Sequence, residues 1–216
     1  MIKQIKMSIK MMRYGYGLKT SIGFVAFFVL AGVLLSFVSE TAPGGAYMIM
    51  VAGMWPVQMI CSLGTANFVR SSPWKRPAET AAPTLLSFLN FLTCYLIVFL
   101  TYLPRFAAGA QSADIAGDMI IIGALTALMM VFCGMAYKYM VAGTIIFFAA
   151  YLTIMTFSNV FKPWLIEHSS MHFFTGALIG LAEIVAGAAA EYAITCVLYK
   201  RPMSKSAQFA GLRKYL

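Results

Sequence analysis

Two carboxylate side chains in the last apolar segment of the chain could do chemistry. Glu183 and Glu191 lie eight residues apart, so a helix of 3.6 residues per turn places them about 80° apart around its axis. An acid in hydrocarbon is costly unless it faces a bundle interior, a cavity or a polar partner. The pair predicts either a substrate path or proton relay, or a structural hydrogen-bonding role across helices. Glu191 is the weaker functional candidate because it lies nearer the end of the segment.

A second candidate is the polar stretch 69–83, with the sequence VRSSPWKRPAETAAP. Serines before a proline favour a helix start, and a tryptophan among cations forms an amphipathic patch suited to a membrane surface or a partner protein. An interfacial tryptophan anchor with ordinary cytoplasmic charges explains the same residues equally simply. The candidate residues of this loop are Arg70, Ser71, Ser72, Pro73, Trp74, Lys75 and Arg76.

The first 14 residues, MIKQIKMSIKMMRY, carry apolar and basic side chains on adjoining arcs of a helix. This separation predicts a helix lying in the membrane interface, with its cations toward lipid phosphates. A plain basic tail that only sets topology is the alternative. The apolar arc holds Ile2, Ile5, Ile9 and Met12, and the basic arc holds Lys3, Lys6, Lys10 and Arg13.

No pattern in the chain predicts catalysis, a bound cofactor or a metal site. Gly15, Gly17, Lys19 and Thr20 do not complete a GxxxxGK[ST] phosphate-binding loop, and no strand is predicted before them. The histidines His168 and His172 are four apart but lack the HExxH order, so an exposed interfacial cluster is the simpler interpretation. The four cysteines fall in apolar segments without metal-ligand spacing and are predicted to be buried small hydrophobes.

The elements that must position these groups are transmembrane helices. The chain is 61% hydrophobic and 11% charged, against about half and a quarter in soluble domains. The continuous apolar runs predict an all-α polytopic membrane protein with about six spans. We expect one transmembrane domain over 1–216, with an interfacial connecting helix at 1–19 and a basic tail at 199–216. The predicted spans lie near 21–38, 47–69, 84–102, 119–136, 141–157 and 173–198.

The basic residues predict the orientation. With both termini in the cytoplasm, all but Arg105 and Lys162 of the 16 lysines and arginines fall on inner segments, as the excess of cations on cytoplasmic loops requires. Lys138 is counted among these inner loop residues. The formal charge of +9 is explained by anionic lipid, and we expect no nucleic-acid binding because the cations alternate with spans. The predicted location is the cytoplasmic membrane.

Small and aromatic residues near the last span predict close packing and an interface belt. Gly176 and Gly180 form a GxxxG pattern, which favours close helix approach within the chain or between subunits. Aromatic residues just before it are typical of a belt at the outer interface. The alanines at four-residue spacing are Ala182, Ala186 and Ala190, and the belt candidates are Trp164, Phe173 and Phe174.

This layout resembles the membrane subunit of ABC exporters of the second exporter type, which have six spans per subunit. The resemblance rests on the amphipathic segment 1–14, on SSPWKR at 71–76 between spans two and three, on the short turn 137–139, and on the small outer segment 158–172 before span six. In that family the loop after span two carries a proline followed closely by a basic residue. Pro73, Lys75 and Arg76 match that pattern, whereas Trp74 and Pro77 depart from the commoner continuation.

The resemblance implies a permease that forms a homodimer or heterodimer and docks on cytoplasmic ATPase subunits through the loop at 71–76. ATP and Mg would be bound by those partners and not by this chain. It further implies alternating access, and the short outer loops suggest a peptide, drug-like or lipid-like amphipathic cargo. Two alternatives stay open: the substrate-binding membrane subunit of a vitamin or metal importer, and an ATPase-independent carrier that uses Glu183.

Overall fold

The computed structural model of the protein describes residues 18–38, 44–64, 75–168 and 170–201. Within these ranges the chain is all-α and has no strand, which confirms the predicted fold class. The helices are α1 (Leu18–Val38), α2 (Gly44–Gly64), α3 (Lys75–Glu79), α4 (Ala81–Ala107), α5 (Ser112–His168) and α6 (Phe173–Tyr199).

Five helical stretches are long and apolar enough to cross a membrane, as expected of a polytopic membrane protein. One further helix, α2, is not among these five stretches. It has 21 residues, and a rise of 1.5 Å per residue gives it a length of about 31 Å, close to the thickness of a hydrocarbon core. The five stretches are Lys19–Phe37, Ala81–Ala107, Ser112–Ala136, Lys138–His168 and Phe173–Tyr199.

The long helix α5 is a hairpin of two arms, Ser112–Ala136 and Lys138–His168. The backbone leaves helical geometry at Tyr139 (φ −130°, ψ 62°). The second arm then returns along the first, since Lys162 lies within 2.8 Å of both Asp114 and Asp118. We call this unit the α5 hairpin. It agrees with the very short turn predicted at 137–139.

The turn and the open end of the hairpin mark the two ends of the helix bundle. We name them the Lys138 end and the Lys162 end. Tyr139, the start of α4 and the end of α6 lie at the Lys138 end, where Lys138 contacts Glu79 and Leu198. The start of α5 and the end of its second arm lie at the Lys162 end. Tyr47, near the start of α2, reaches Met155 of the second arm there.

Several helices are longer than predicted, and their neighbours explain why. The predicted span 119–136 omits Asp114 and Asp118, and the span 141–157 omits Lys162, because charges normally mark loops. In the structure Lys162 forms ion pairs with both aspartates across the hairpin, so helix continues through all three residues. Most of the predicted outer segment 158–172 is therefore helical, since α5 continues to His168.

The other boundaries differ by a few residues. α4 runs from Ala81 to Ala107, beyond the predicted 84–102, because Pro83 lies in its first turn, where no helical donor is lost. Leu18 and Lys19, assigned above to the connecting helix, belong to α1. The predicted end of span two and the rest of the connecting helix and basic tail fall on 1–17, 65–74 and 202–216, outside the described residues.

The core lies between the first arm of α5, α4, α6 and α2. Its largest buried side chains include Phe91 and Tyr95 of α4, Met119 and Ile122 of the first arm, and Phe173 at the start of α6. Phe173 was expected in the interface belt. It is instead fully buried and stacks on Phe99 with ring centroids 5.0 Å apart.

Small residues let α6 approach the first arm of α5. A Cβ placed on Gly176 would come within 2.6 Å of the Cα of Ala116, and one on Gly187 within 2.7 Å of that of Ala127. The predicted close packing around the GxxxG pattern is therefore a contact within this chain. The alanine row lies elsewhere, since Ala182 and Ala186 are exposed.

Candidate functional site

The most completely coordinated polar side chain of the described residues is Lys138, at the turn of the α5 hairpin. Its Nζ donates to the backbone carbonyls of Leu198 at 2.6 Å, Tyr199 at 3.3 Å and Arg201 at 3.2 Å. It also lies 3.5 Å from a carboxylate oxygen of Glu79. We call these residues the Lys138 network.

The network joins three separate parts of the bundle. The last carbonyls of a helix have no partner within it and carry a partial negative charge, so an ammonium group at the end of α6 is favourable. Both charged residues are buried, with Lys138 2% and Glu79 5% exposed. Buried charges are tolerated when paired and hydrogen-bonded. Lys138 is therefore a buried structural cation and not the aqueous loop residue that the orientation argument assumed.

The short helix α3 carries Glu79 and is joined almost directly to α4. Thr80 lies between them, and its hydroxyl donates to the carbonyl of Arg76 at 2.7 Å. The hydroxyl of Thr84 in turn donates to the carbonyl of Thr80 at 3.0 Å. Displacement of α3 must therefore act on the start of α4 and, through Glu79, on the hairpin turn.

Of the candidate loop residues, Lys75 and Arg76 form the start of α3, and Arg76 is exposed. The other candidates in this loop, Arg70, Ser71, Ser72, Pro73 and Trp74, lie outside the described residues. The eight candidates of the interfacial helix, from Ile2 to Arg13, lie outside them as well. The described part of the loop is thus the start of α3, the helix whose Glu79 belongs to the Lys138 network.

The intramembrane acid Glu183 lies halfway along α6 and faces the first arm of α5. It is half-buried, and its Oε2 would be 2.5 Å from a Cβ placed on Gly123. Among the described residues that oxygen has no hydrogen-bond partner. The hydroxyl of Tyr95 contacts α6 nearer the start of the helix, where it donates to the carbonyl of Ala177 at 3.0 Å.

The second acid, Glu191, is buried more completely than Glu183, with 1% of its surface exposed. It packs against Gly134 of the first arm and is adjacent to Ser87 of α4. Its Oε2 and the hydroxyl of Ser87 also lack hydrogen-bond partners within the described ranges. The two glutamates thus face the same neighbouring helix at different depths, and they do not form one site.

A charged cluster at the Lys162 end was not anticipated. Lys162 bridges Asp114 and Asp118, and the hydroxyl of Tyr102 donates to Asp118 at 3.4 Å. The guanidinium of Arg105 lies over the Tyr102 ring, 5.4 Å from its centroid. We call these five residues the Lys162 cluster.

Sequence reasoning missed both charged groups for the same reason. Each of the lysines was assigned to a loop, so no partner was sought for it. A signal was present for the cluster, because Asp114 and Asp118 are four residues apart and would share one helix face. For Glu79 and Lys138 the chain separation of 59 residues leaves no local pattern to read.

The histidine pair belongs to neither the Lys138 network nor the Lys162 cluster. His168 ends α5, where its ring stacks on Trp164 with centroids 5.6 Å apart. His172 precedes α6. Among the described residues no group of three or more metal-ligating side chains comes together.

The chain matches no known family model, no curated protein and no solved structure.

Proposed function

We propose that the protein is the membrane permease of an ABC exporter, and that it couples to cytoplasmic ATPase subunits through the loop ending in α3. The observation that carries this proposal is the Glu79–Lys138 ion pair of 3.5 Å, which ties that loop to the turn of the α5 hairpin. The resemblance of the loop sequence SSPWKR to the docking loop of such permeases supports it further. In this proposal the Lys138 end faces the cytoplasm of the cell.

The mechanism follows from the connections of α3. An ATPase bound at Arg76 and the residues before it would pull on α3 when it closes on ATP. The pull acts on α4 through the Thr80 and Thr84 hydrogen bonds and on the α5 hairpin and α6 through Lys138. Helices so connected move as rigid bodies, and alternation between two arrangements opens the path first to one side and then to the other.

The cargo in this proposal is amphipathic and enters from the bilayer. The second arm of α5 exposes large apolar side chains, with Val141 70% and Leu152 63% exposed. α1 does the same, with Leu34 65% exposed. Such faces meet lipid or the second permease, and ATP with Mg is bound by the partner ATPases.

The test separates docking from coupling. The tagged permease is purified from membranes of its own cell, and co-purifying chains are identified by mass spectrometry and assayed for ATP hydrolysis. We expect an ATPase with a phosphate-binding loop, and Arg76→Glu should reduce its recovery. Glu79→Gln should leave recovery intact but lower ATP-driven transport by about tenfold, because a charged contact is lost.

Lys200→Gln is the matched control, since Lys200 is exposed just beyond α6. It should change neither docking nor transport. ATP-driven transport that survives deletion of residues 71–76 contradicts the proposed coupling.

A carrier that works without an ATPase is a second candidate, favoured by the partnerless oxygen of Glu183 at the middle of α6, where the described residues offer it no hydrogen bond. An acid at this depth suits proton or cation exchange. Reconstituted without any ATPase, such a carrier would transport, and Glu183→Gln would abolish transport while the exposed Glu167→Gln would not. No transport in the absence of ATPase removes this candidate.

A further inference from the structure

A cleft with a volume of about 460 Å³ lies at the Lys162 end, between the two arms of the α5 hairpin and the start of α2. This volume falls within the range of small-molecule sites, roughly 300–1,000 Å³. Its walls combine apolar and polar side chains. The apolar ones include Ile121, Met155, Pro163 and Ile166, and the polar ones Tyr47, Asp118, Ser158, Asn159 and Lys162.

The cleft keeps hydrogen-bonding capacity that its own residues do not use. Lys162 has three ammonium protons, and two carboxylates, those of Asp114 and Asp118, accept from it. The Asn159 amide makes no hydrogen bond to the described part of the chain and is exposed. The Tyr47 hydroxyl has a thioether, Met155 Sδ, as its acceptor at 3.7 Å, and a thioether accepts only weakly. A ligand would therefore meet donors from three sides.

The charges of the cleft select against a simple anion or a simple cation. Two carboxylates and one ammonium group leave one excess negative charge, and Arg105 balances it from the far side of the Tyr102 ring. An anion at Lys162 is repelled by both aspartates, and a cation at Asp118 is repelled by Lys162. A group that carries both signs a few ångströms apart meets each with its opposite.

The position of the cleft along the helices points to the bilayer as the source of the ligand. Asp118 lies six residues after Ser112, so it is about 9 Å along α5 from the start of the helix. The polar headgroup layer lies outside a hydrocarbon core about 30 Å thick, at the ends of such helices. Trp164, 54% exposed on the same part of the second arm, is a residue typical of that layer. Ile121 and Met155 offer an apolar wall on the side toward the membrane centre.

We propose that this cleft binds the headgroup of a zwitterionic phospholipid with a primary amine. Its phosphate accepts from Lys162, Asn159 and Tyr47, and its ammonium group donates to Asp118, all four of which line the cleft. The glycerol and the first acyl carbons lie against the apolar wall. The proposal concerns the permease chain alone and does not depend on ATPase coupling.

The test measures which lipid stays with the protein. The full chain is reconstituted in vesicles of equal parts phosphatidylethanolamine, phosphatidylcholine and phosphatidylglycerol, then extracted in mild detergent, and its retained lipids are quantified by native mass spectrometry. We expect phosphatidylethanolamine to be enriched about fivefold to tenfold over the other two, as charged hydrogen bonds specific to it would give.

Two variants locate the site. Lys162→Gln removes the phosphate contact but also both ion pairs, so Asn159→Leu, which leaves those pairs in place, is tested beside it. Each should lower the enrichment, and Lys200→Gln at the opposite end should not. Soluble glycerophosphoethanolamine that displaces the lipid identifies the headgroup as the part recognised.

Other outcomes overturn the proposal. Preferential retention of phosphatidylglycerol contradicts the role of the aspartates, and equal retention of the amine and choline lipids contradicts the ammonium contact. Enrichment that is unchanged in Asn159→Leu and in Lys162→Gln places the lipid elsewhere on the protein.

Discussion

At the scale of single residues, Lys138 and Glu79 illustrate how a buried charge pair is made tolerable. Removing both charges from water costs several kcal/mol per ion. Lys138 offsets that cost with the carboxylate and three backbone carbonyls of the α6 end. These carbonyls lie at the end of α6, where the last carbonyls have no N–H partner within the helix, although that of Leu198 also accepts from the backbone N–H of Arg201 at 2.9 Å.

Lys138→Met should therefore destabilise the protein more than Glu79→Gln. The methionine leaves the buried Glu79 carboxylate without its ion-pair partner, at a cost of about 3–5 kcal/mol. Glu79→Gln, in contrast, retains an amide oxygen that can accept from Lys138. Thermal unfolding in detergent, followed by circular dichroism, compares the two.

The double variant Lys138→Met/Glu79→Leu is the control for this interpretation. Replacing both members of a buried pair with apolar residues is often nearly neutral, so we expect it to unfold at a higher temperature than Lys138→Met alone. A double variant that is less stable than Lys138→Met would contradict the assignment of the loss to the stranded carboxylate.

At the scale of helices, α6 has two small-residue rows with different surroundings. The glycine row, Gly176, Gly180 and Gly187, lies against the first arm of the α5 hairpin. The alanine row includes Ala182 and Ala186, which are exposed. Both rows contain small residues four apart, so this spacing does not distinguish them and only the packing does.

Gly187→Leu and Ala186→Leu test this difference at neighbouring positions. A leucine side chain at position 187 must displace the backbone of Ala127 and should cost about 1–3 kcal/mol or more through overpacking. The same side chain at position 186 points away from the bundle and should leave the unfolding temperature of the monomer unchanged. Equal losses of thermal stability would show that both rows are packed within the chain.

The aromatic residues give a second comparison at this scale. Phe173 and Phe174 are adjacent, yet Phe173 is fully buried between Phe99 and Phe106 while Phe174 is 54% exposed. We expect Phe173→Ala to cost about 3–5 kcal/mol, and Phe174→Ala to cost much less. Chemical denaturation in mixed micelles measures both, and similar midpoints for the two variants would contradict the buried position of Phe173.

At the scale of the whole molecule, the helices place two groups of charged residues at opposite ends of the bundle. Arg76, Glu79 and Arg201 lie with Lys138, whereas Asp114 lies with Lys162. His168 ends the same arm that carries Lys162. The proposed orientation assigns the first group to the cytoplasm, as the distribution of basic residues predicts.

Single cysteines in a cysteine-free background test this orientation. Arg201→Cys, in an exposed position, should react with a membrane-impermeant maleimide only after the cells are opened. His168→Cys, exposed at the other end, should react in intact cells. The reverse pattern would invert the topology and with it the proposed ATPase docking from the cytoplasm.

The sequence by itself determined the class of the protein. Apolar runs long enough to cross hydrocarbon require helices, because only helices satisfy their own backbone groups there. Within the described residues, the same reasoning predicted the apolar helices, though not all of their ends, and the tight turn near Tyr139. Of the four cysteines predicted to be buried, Cys94 and Cys133 are buried and Cys196 is only partly buried, and the side chain of Cys61 lies outside the described residues. These features follow from composition and local periodicity, which are properties of short stretches of chain.

Only the tertiary structure decided which charges belong together and which small-residue row is buried. Glu79 meets Lys138 and Asp118 meets Lys162 because the α5 hairpin folds back and α6 docks on its first arm. A charged residue with no visible partner nearby in the sequence is normally assigned to a loop. The partners of these residues lie tens of positions away in the chain, so the sequence does not show them. Ion pairs between helices form only in the packed bundle. They offset the free-energy cost of burying these charges, which is the cost that led the sequence analysis to place them in loops.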